Sequence, residues 1–239
     1  MISVICCYND EAQFRDFCAS LETQKADWQL IPIDNRKQTF HSAAAALNFG
    51  ADQSDGDILV FSHQDIRFLS TDCLERLTAP IREASGLDLI SGAFGVVRSN
   101  SRVVAVEDFT SAESVDECLF AMRRETWERN RFDEELCDGW HLYAVELCFR
   151  VRQGRGAVTA GDCHVEHLSQ GHIDTAYMRC FRRLIQRYRS LEYLTTSCKS
   201  LPASLPLFWL YYPLWRVKKA LIGDYPLMWK FRCLLEKRK

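Results

Sequence analysis

The chain has 239 residues, of which 47% are hydrophobic and 26% are charged, and its formal net charge is −2. This size and composition are typical of one large globular domain, with or without an appendage, that buries a sizeable core. The small net charge excludes a global electrostatic attraction to nucleic acid, so we expect no nucleic-acid partner.

The cysteines and the amino terminus indicate the compartment. Eleven cysteines are scattered along the chain without a single C-x-x-C pair, which argues against a zinc ribbon. The segment Met1–Val4 enters a strand pattern directly and lacks the charged and apolar regions of a signal peptide. We therefore expect a cytoplasmic protein with reduced thiols that behave as small hydrophobic side chains.

The first third of the sequence predicts strands that alternate with helices. Three apolar runs are typical of buried strands: Ile2–Cys7, Trp28–Ile33 and Ile58–Phe61. The first helix is predicted to begin at a cap on Asn9 or Asp10, and the second to span 42–51. This order of elements requires right-handed crossovers and a parallel sheet.

Polar residues follow the third strand where it ends. His63, Gln64 and Asp65 can bind metal or form hydrogen bonds, and open α/β sheets bind ligands at the carboxyl ends of their strands. An ordinary strand that exits into a polar loop would show the same pattern. Neither G-x-G-x-x-G nor G-x-x-x-x-G-K occurs, so two familiar phosphate-binding loops are excluded.

The middle of the chain predicts further helices and strands. Helical spacing occurs at 74–81, where Pro80 should bend or end the helix. Strands are expected at three places: 87–94, 102–106 and 116–122. A long helix with one apolar face is predicted over Thr175–Leu194.

The segment 199–239 is basic and rich in aromatic residues, with nine Lys or Arg against two Asp or Glu. Its apolar run 205–214 is shorter than the ~20 residues that a membrane span requires. Such a segment suits the surface of an anionic membrane, where aromatic rings and cations both find partners. Covering of the core or a dimer contact is the alternative.

Several short motifs carry a resemblance to a known family: Val4–Asn9, Ile33–Asn35, Asn48-x-Gly50 and Gly56–Phe61. In this order and spacing they resemble the nucleotide-binding half of family 2 glycosyltransferases with the GT-A fold. His63–Asp65 stands where that family has its D-x-D signature. The H-Q-D form, together with Trp140–Tyr143, is similar to a subgroup named after a streptomycin-biosynthesis protein. The resemblance covers residues 1–172.

The resemblance implies an α/β fold: a GT-A-like three-layer α/β/α domain with a mostly parallel central sheet and a helical carboxyl-terminal extension. Residues 1–100 would form the nucleotide-sugar-binding half, 101–172 the acceptor half and 173–239 the extension. The implied enzyme is a hexosyltransferase-type glycosyltransferase that moves a sugar from a nucleotide-diphosphate sugar to an acceptor hydroxyl. It would be inverting and metal-dependent, and would act in polysaccharide or glycolipid synthesis.

The implied partners are the sugar donor, a saccharide or lipid-linked acceptor, and the inner face of the cytoplasmic membrane through the tail. A catalytically inactive nucleotide-sugar-binding module is the alternative function. A nucleotidyltransferase shares the strand order, but it would need a Gly-rich signature with a Lys near the amino terminus, and Cys6–Asn9 offers none.

The resemblance also implies a divalent cation, Mn²⁺ or Mg²⁺, to offset the charge of the diphosphate. Its expected ligands are Asp65, His63 and His167, with His164 as second choice. Because His63 replaces an Asp, the site has one fewer negative charge, and imidazole favours Mn²⁺ over Mg²⁺. The expected substrate-binding residues are Tyr8, Asn9, Asp34, Asn48, His63, Gln64 and Trp140, with Asp34 placed to accept hydrogen bonds from the base or ribose.

The general base is the least determined part of the predicted site. The family supplies it from an E-D pair at the start of a helix, but that pair falls on Tyr143–Ala144, and neither residue can serve. The nearest titratable candidates are Asp138, His141 and Glu146. Glu146 could instead pair with Arg150 at a spacing of four.

Overall fold

The computed structural model describes residues 1–84, 86–99, 102–106, 111–169, 173–196 and 200–222. The strands are β1 (Ile2–Tyr8), β2 (Trp28–Asp34), β3 (Ile58–His63), β4 (Ile66–Phe68), β5 (Leu89–Gly92), β6 (Gly95–Ser99), β7 (Arg102–Val106), β8 (Ser114–Val115), β9 (Leu119–Arg123), β10 (Ala157–Ala160), β11 (Val165–His167), β12 (Tyr193–Thr195) and β13 (Ser200–Pro202). The helices are α1 (Glu11–Leu21), α2 (Ala43–Asp52), α3 (Cys73–Glu83), α4 (Arg124–Arg129), α5 (Tyr143–Gln153), α6 (Thr175–Arg187) and α7 (Leu205–Ile222).

Six strands form the central sheet, in the order β10-β5-β9-β3-β1-β2. β1 runs parallel to both β2 and β3, and β10 runs parallel to β5, whereas β9 is antiparallel to its two neighbours. The continuous apolar sequences of β1 and β3 are buried, as expected for strands covered on both faces. The prediction of a mostly parallel central sheet is confirmed.

Helices cover both faces of this sheet and give the molecule three layers. One face packs Phe61 and Phe120 against α2 and α5, while the other packs Val60 and Ala121 against α1 and α3. Two apolar cores, one per face, therefore fix the sheet, and the carboxyl ends of β1 and β3 meet at one edge.

Several predicted boundaries need correction. Pro80 does not end the helix, since α3 continues past it to Glu83. The strand predicted at 87–94 stops at Gly92, where a side chain would collide with Val115. The strand predicted from residue 116 begins only at Leu119, because the Asp116 carboxylate accepts the backbone N–H of Cys118 at 3.0 Å and makes a turn.

The carboxyl-terminal region differs from its prediction at the end of α6. α6 ends at Arg187 and not at residue 194, and the next residue, Tyr188, turns its hydroxyl onto the Glu146 carboxylate at 2.5 Å. The apolar run 205–214 forms the first part of α7, which continues to Ile222 and contains Pro213. None of the helices in the described ranges has the length and apolar character to cross a membrane. The predicted basic and aromatic residues at 223–239 lie outside the described residues.

Candidate functional site

A cleft opens at the carboxyl ends of β1 and β3 and is closed on the far side by the start of α5. Six of the residues that the sequence predicted as site residues line it: Tyr8, Asn9, His63, Gln64, Asp65 and Trp140. Tyr143, at the first position of α5, also faces this cleft. The sheet edge thus gathers residues that are more than 130 positions apart in the sequence, as ligand sites of open α/β sheets do.

Three potential metal ligands converge beside the cleft. The Nε2 atom of His167 lies 3.5 Å from Oδ1 of Asp65, and Nδ1 of His63 lies 3.9 Å from the same oxygen. Antiparallel pairing of β11 with β4 places His167 opposite Ile66, and the N–H of Leu168 donates to the carbonyl of Asp65 at 3.0 Å. Backbone pairing, and not sequence proximity, therefore brings the second imidazole to the carboxylate.

The charges within this cluster favour an ionised carboxylate. Burial alone would raise the pKa of Asp65, but hydrogen bonds from His167 and Ser169 outweigh it and hold the pKa well below its usual range. For His167 burial acts in the opposite direction and would lower the pKa, but the hydrogen bond to Asp65 outweighs it and raises the pKa overall. Burial dominates at His63 and lowers its pKa, which favours the neutral imidazole that metals bind.

A second group of potential ligands shares His167 and adds Asp116 and Cys118. Cys118 is completely buried, and burial raises the pKa of its thiol well above the usual value, so it stays protonated and is a poor ligand. His164 lies outside both groups and its side chain is 65% exposed. Among the described residues, His63, Asp65 and His167 therefore form the better cation site.

The loop after β1 is locked onto the loop after β3. The Gln64 side-chain oxygen accepts the backbone N–H groups of Asn9 and Asp10 at 2.8 and 3.0 Å, and its nitrogen donates to the Asn9 side chain at 2.8 Å. Asp10 in turn caps α1 through the N–H groups of its first turn. Gln64 therefore holds one wall of the cleft in place, a role that its position in the H-Q-D motif does not reveal.

Two predicted substrate-binding residues do not line the cleft. Asp34, at the end of β2, is bound by the Arg36 guanidinium at 2.9 and 2.6 Å, and this hydrogen bonding lowers its pKa to about 2. Asn48 is buried in α2, where its amide binds the backbone of Phe132 and the indole N–H of Trp127. Asp34 lies at the rim next to Tyr8, its partner in the pairing of β2 with β1, whereas Asn48 connects α2 to the segment around Trp127 and Phe132.

The three residues predicted as candidates for the general base occupy different surroundings. Asp138 pairs with Arg183 at 2.7 Å, and His141 lies 3.3 Å from Asp174, the residue that caps α6. The Glu146 carboxylate is fully buried, with Arg150 at 2.6 Å. This placement favours the alternative that the sequence left open, an ion pair at a spacing of four.

Glu117 is a carboxylate that sequence reasoning missed. Its Oε1 accepts the backbone N–H of Ala144 at 3.3 Å, so it lies at the start of α5, where the sequence lacked an acidic pair. Burial raises its pKa to about 8, and the nearby Asp116 charge adds to this effect, although the N–H groups at the start of α5 oppose it. Leu142, directly before α5, has a φ of 67°, a strained conformation that is frequent at functional sites.

Tyr143 connects this carboxylate region to the candidate metal ligands. Its hydroxyl lies 3.1 Å from Nε2 of His63 and donates to the backbone carbonyl of Glu117 at 3.2 Å. Glu117 lies 27 positions before Ala144, in a turn outside regular structure, so no local motif connects the two. The one local signal was the adjacent acidic pair at 116–117, which falls at the start of the predicted strand 116–122.

No protein-family model and no curated protein matches the chain. Its fold is similar to solved structures of GT-A glycosyltransferases at low sequence identity. GalNAc-T7 with UDP, GalNAc and Mn²⁺ gives a TM-score of 0.59 at 13% identity, covering 77% of this chain and 47% of that chain. Staphylococcus aureus TarS residues 1–349 with UDP-GlcNAc gives 0.54 at 14%, covering 77% and 65%. The mannosyltransferase PcManGT from Pyrobaculum calidifontis with GDP-Man and Mn²⁺ gives 0.54 at 13%, covering 79% and 63%.

The chain therefore has a GT-A-like α/β fold, as the resemblance predicted. It spans about half to two thirds of the length of these neighbours. At this level of identity the likeness establishes the fold alone.

Proposed function

We propose that the chain is a glycosyltransferase that moves a sugar from a nucleotide-diphosphate donor to an acceptor hydroxyl with the help of a divalent cation. The observation that carries the proposal is the convergence of His63, Asp65 and His167 at the carboxyl edge of a GT-A-like sheet. All three neighbours were crystallised with a nucleotide or nucleotide sugar, and two of them with Mn²⁺, which supports the same ligand class for this cleft.

The three side chains fit a divalent cation. Ligand atoms bound about 2.2 Å from one ion lie roughly 3–4 Å apart, and the separations of 3.5 and 3.9 Å from the Asp65 oxygen agree with this spacing. Two imidazoles and one carboxylate leave further coordination positions open, and imidazole favours Mn²⁺ over Mg²⁺. When bound, the cation would offset the negative charge that develops on the leaving diphosphate.

The residues of the cleft wall would bind the organic parts of the donor. Tyr8 stacks on Phe14 with ring centroids 3.9 Å apart, which presents a rigid aromatic surface beside Asn9. We assign the nucleobase or the ribose of the donor to this side of the cleft and to Asp34, whose ionised carboxylate lies at the rim. Trp140 is 44% exposed and offers an aromatic face on the opposite side, suited to the apolar face of a sugar.

We assign the general base to Glu117, with Asp138 and His141 kept as the alternatives from the sequence. A raised pKa suits a group that must accept a proton near neutral pH. The acceptor oxygen would attack the anomeric carbon while the bond to the diphosphate breaks, and the electron pair leaves on the diphosphate oxygen. The hydroxyl proton would pass to a carboxylate oxygen of Glu117. Such a displacement inverts the anomeric configuration.

We further propose a hexosyl donor, a polysaccharide or glycolipid product, a lipid-linked or saccharide acceptor at a membrane surface, and membership of the subgroup with the H-Q-D motif. A nucleotide-sugar-binding module without catalysis is the second candidate, supported by the absence of an acidic residue at Tyr143–Ala144. Glu117 favours the enzyme, because it supplies a carboxylate at the same helix start.

A ligand panel tests the proposal. The melting temperature of the full chain would be measured with UDP-, GDP- and dTDP-sugars, each with Mn²⁺ or with EDTA. At one hundred times its Kd a ligand stabilises the native state by about 2.7 kcal/mol, which raises the Tm by roughly 5–10 °C. We expect one nucleotide class to do so only with Mn²⁺, and its sugar to appear on an added acceptor. A panel without any shift would contradict the whole proposal, and a shift without turnover would favour the binding module.

A further inference from the structure

Helix α7 has apolar side chains on two opposite faces. Its inner face packs on α6, where Phe208 and Phe181 lie with ring centroids 5.6 Å apart, and Trp215 is buried on the same side. The outer face carries a stripe at helical spacing: Leu207, Leu210, Leu214 and Val217. Leu210 and Leu214 are 67% and 65% exposed. Monomeric soluble proteins rarely expose a contiguous apolar stripe of this kind.

We propose that this outer stripe docks onto an anionic membrane surface. α7 carries Arg216, Lys218 and Lys219 and no acidic residue, and the following residues 223–239 add five Lys or Arg against two Asp or Glu. Lys218 is exposed and lies four positions after Leu214, so it adjoins the stripe. An apolar face next to a cation, on a helix without acidic residues, matches the chemistry of a lipid interface with anionic headgroups. A second copy of the chain would cover the leucines, but its α7 offers no carboxylate for these cations. α7 lies along such a surface and does not cross it.

The position of α7 connects the stripe to the cleft. Lys219 donates to the backbone carbonyl of Ile173 at 3.1 Å, next to Asp174, which caps α6. Asp174 also holds His141, and the neighbouring Trp140 lines the cleft. The last turns of α7 therefore adjoin the acceptor side of the cleft rim, so docking brings that rim close to the membrane. The docking itself is independent of the reaction; only its use for a lipid-linked acceptor rests on the proposed function.

Vesicle sedimentation of the full chain tests the inference. Wild-type protein and a Leu210→Glu/Leu214→Glu variant would be mixed with phosphatidylcholine vesicles, with or without 30% phosphatidylglycerol, at low and high salt. We expect binding to the anionic vesicles only, at least tenfold weaker in the variant and strongly reduced by salt. Leu69→Glu is the matched control, because Leu69 is 60% exposed but lies outside α7, and it should bind as the wild type does.

Each other outcome overturns the inference. Wild-type protein that ignores anionic vesicles, or a double variant that binds as well as the wild type, would remove the stripe as a docking face. A concentration-dependent dimer that the double variant abolishes, without vesicle binding, would assign the stripe to a second copy. Unchanged melting curves and Mn²⁺-dependent donor binding of the same variant would show that its fold and cleft are intact, and failure of the docking inference would then leave the proposed function untouched.

Discussion

The cleft edge and the outer face of α7 depart from the usual distribution of residues in opposite directions. The cleft edge holds a buried ionisable group, since the Asp65 side chain is only 12% exposed, and burial raises the pKa of Glu117 at the nearby start of α5. The outer face of α7 places leucines in water. Both arrangements cost folding free energy. Where buried charges or exposed apolar side chains bring no gain in stability, a binding partner is expected.

Glu146 is a buried carboxylate whose hydrogen-bond partners lie within the fold. It accepts hydrogen bonds from Arg150 and from the Tyr188 hydroxyl, so its charge and lone pairs are satisfied within the fold. Asp65 instead faces two imidazoles and a cleft. The difference in partners, and not burial itself, separates a structural carboxylate from one that is available to a ligand.

The largest effect is expected at the cleft edge. Asp65→Asn should weaken Mn²⁺-dependent donor binding ~100-fold or more, because the neutral amide removes the only anionic ligand of the cluster. The melting temperature in EDTA should stay within a few degrees of the wild type, since the substitution keeps the shape of the side chain. Titration calorimetry of Mn²⁺ and of the donor measures the first effect. Unchanged metal affinity in this variant would exclude the cluster as the metal site.

Glu117→Gln should reduce kcat roughly 10²- to 10⁴-fold while donor affinity stays near the wild-type value. A base must be deprotonated, so wild-type kcat should rise with pH and level off above the pKa of about 8. The variant should lose this dependence. Stopped assays across pH 6–10 measure it, with Glu117→Asp as the control that keeps a carboxylate. A variant that retains both rate and pH profile would leave Glu117 as a cap of α5.

Glu146→Gln should affect stability and not catalysis, in contrast to Asp65→Asn and Glu117→Gln. Removing one partner of a buried ion pair leaves Arg150 without its counter-charge and costs about 3 kcal/mol. Urea denaturation should show this loss, while kcat at a temperature where the variant is folded stays unchanged. A fall in kcat with a shifted pH profile would instead return the base to Glu146.

The sequence predicted the cleft edge far better than its surroundings. The strands that end at Tyr8 and His63 contain continuous apolar runs, and such a local pattern predicts a buried strand without knowledge of the tertiary fold. Glu117 was missed because it reaches α5 from a turn 27 positions earlier, a contact that only the tertiary fold creates. α6 was predicted too long because the buried side chains after Tyr188 continue its apolar spacing although the backbone has turned into β12.

The smallest effect is expected at Asp34, at the rim of the cleft. Its carboxylate is exposed and already bound by Arg36, so a nucleotide would gain only the hydrogen bonds that remain available. Asp34→Asn should therefore weaken donor binding roughly tenfold, the usual effect of losing one charge-assisted hydrogen bond. Mn²⁺ affinity should not change, because Asp34 is assigned to the base or ribose and not to the diphosphate. Calorimetry with the intact donor and with the bare diphosphate separates the two. Equal losses of affinity for both ligands would place Asp34 in the phosphate site. No loss for either ligand would exclude Asp34 from the donor site.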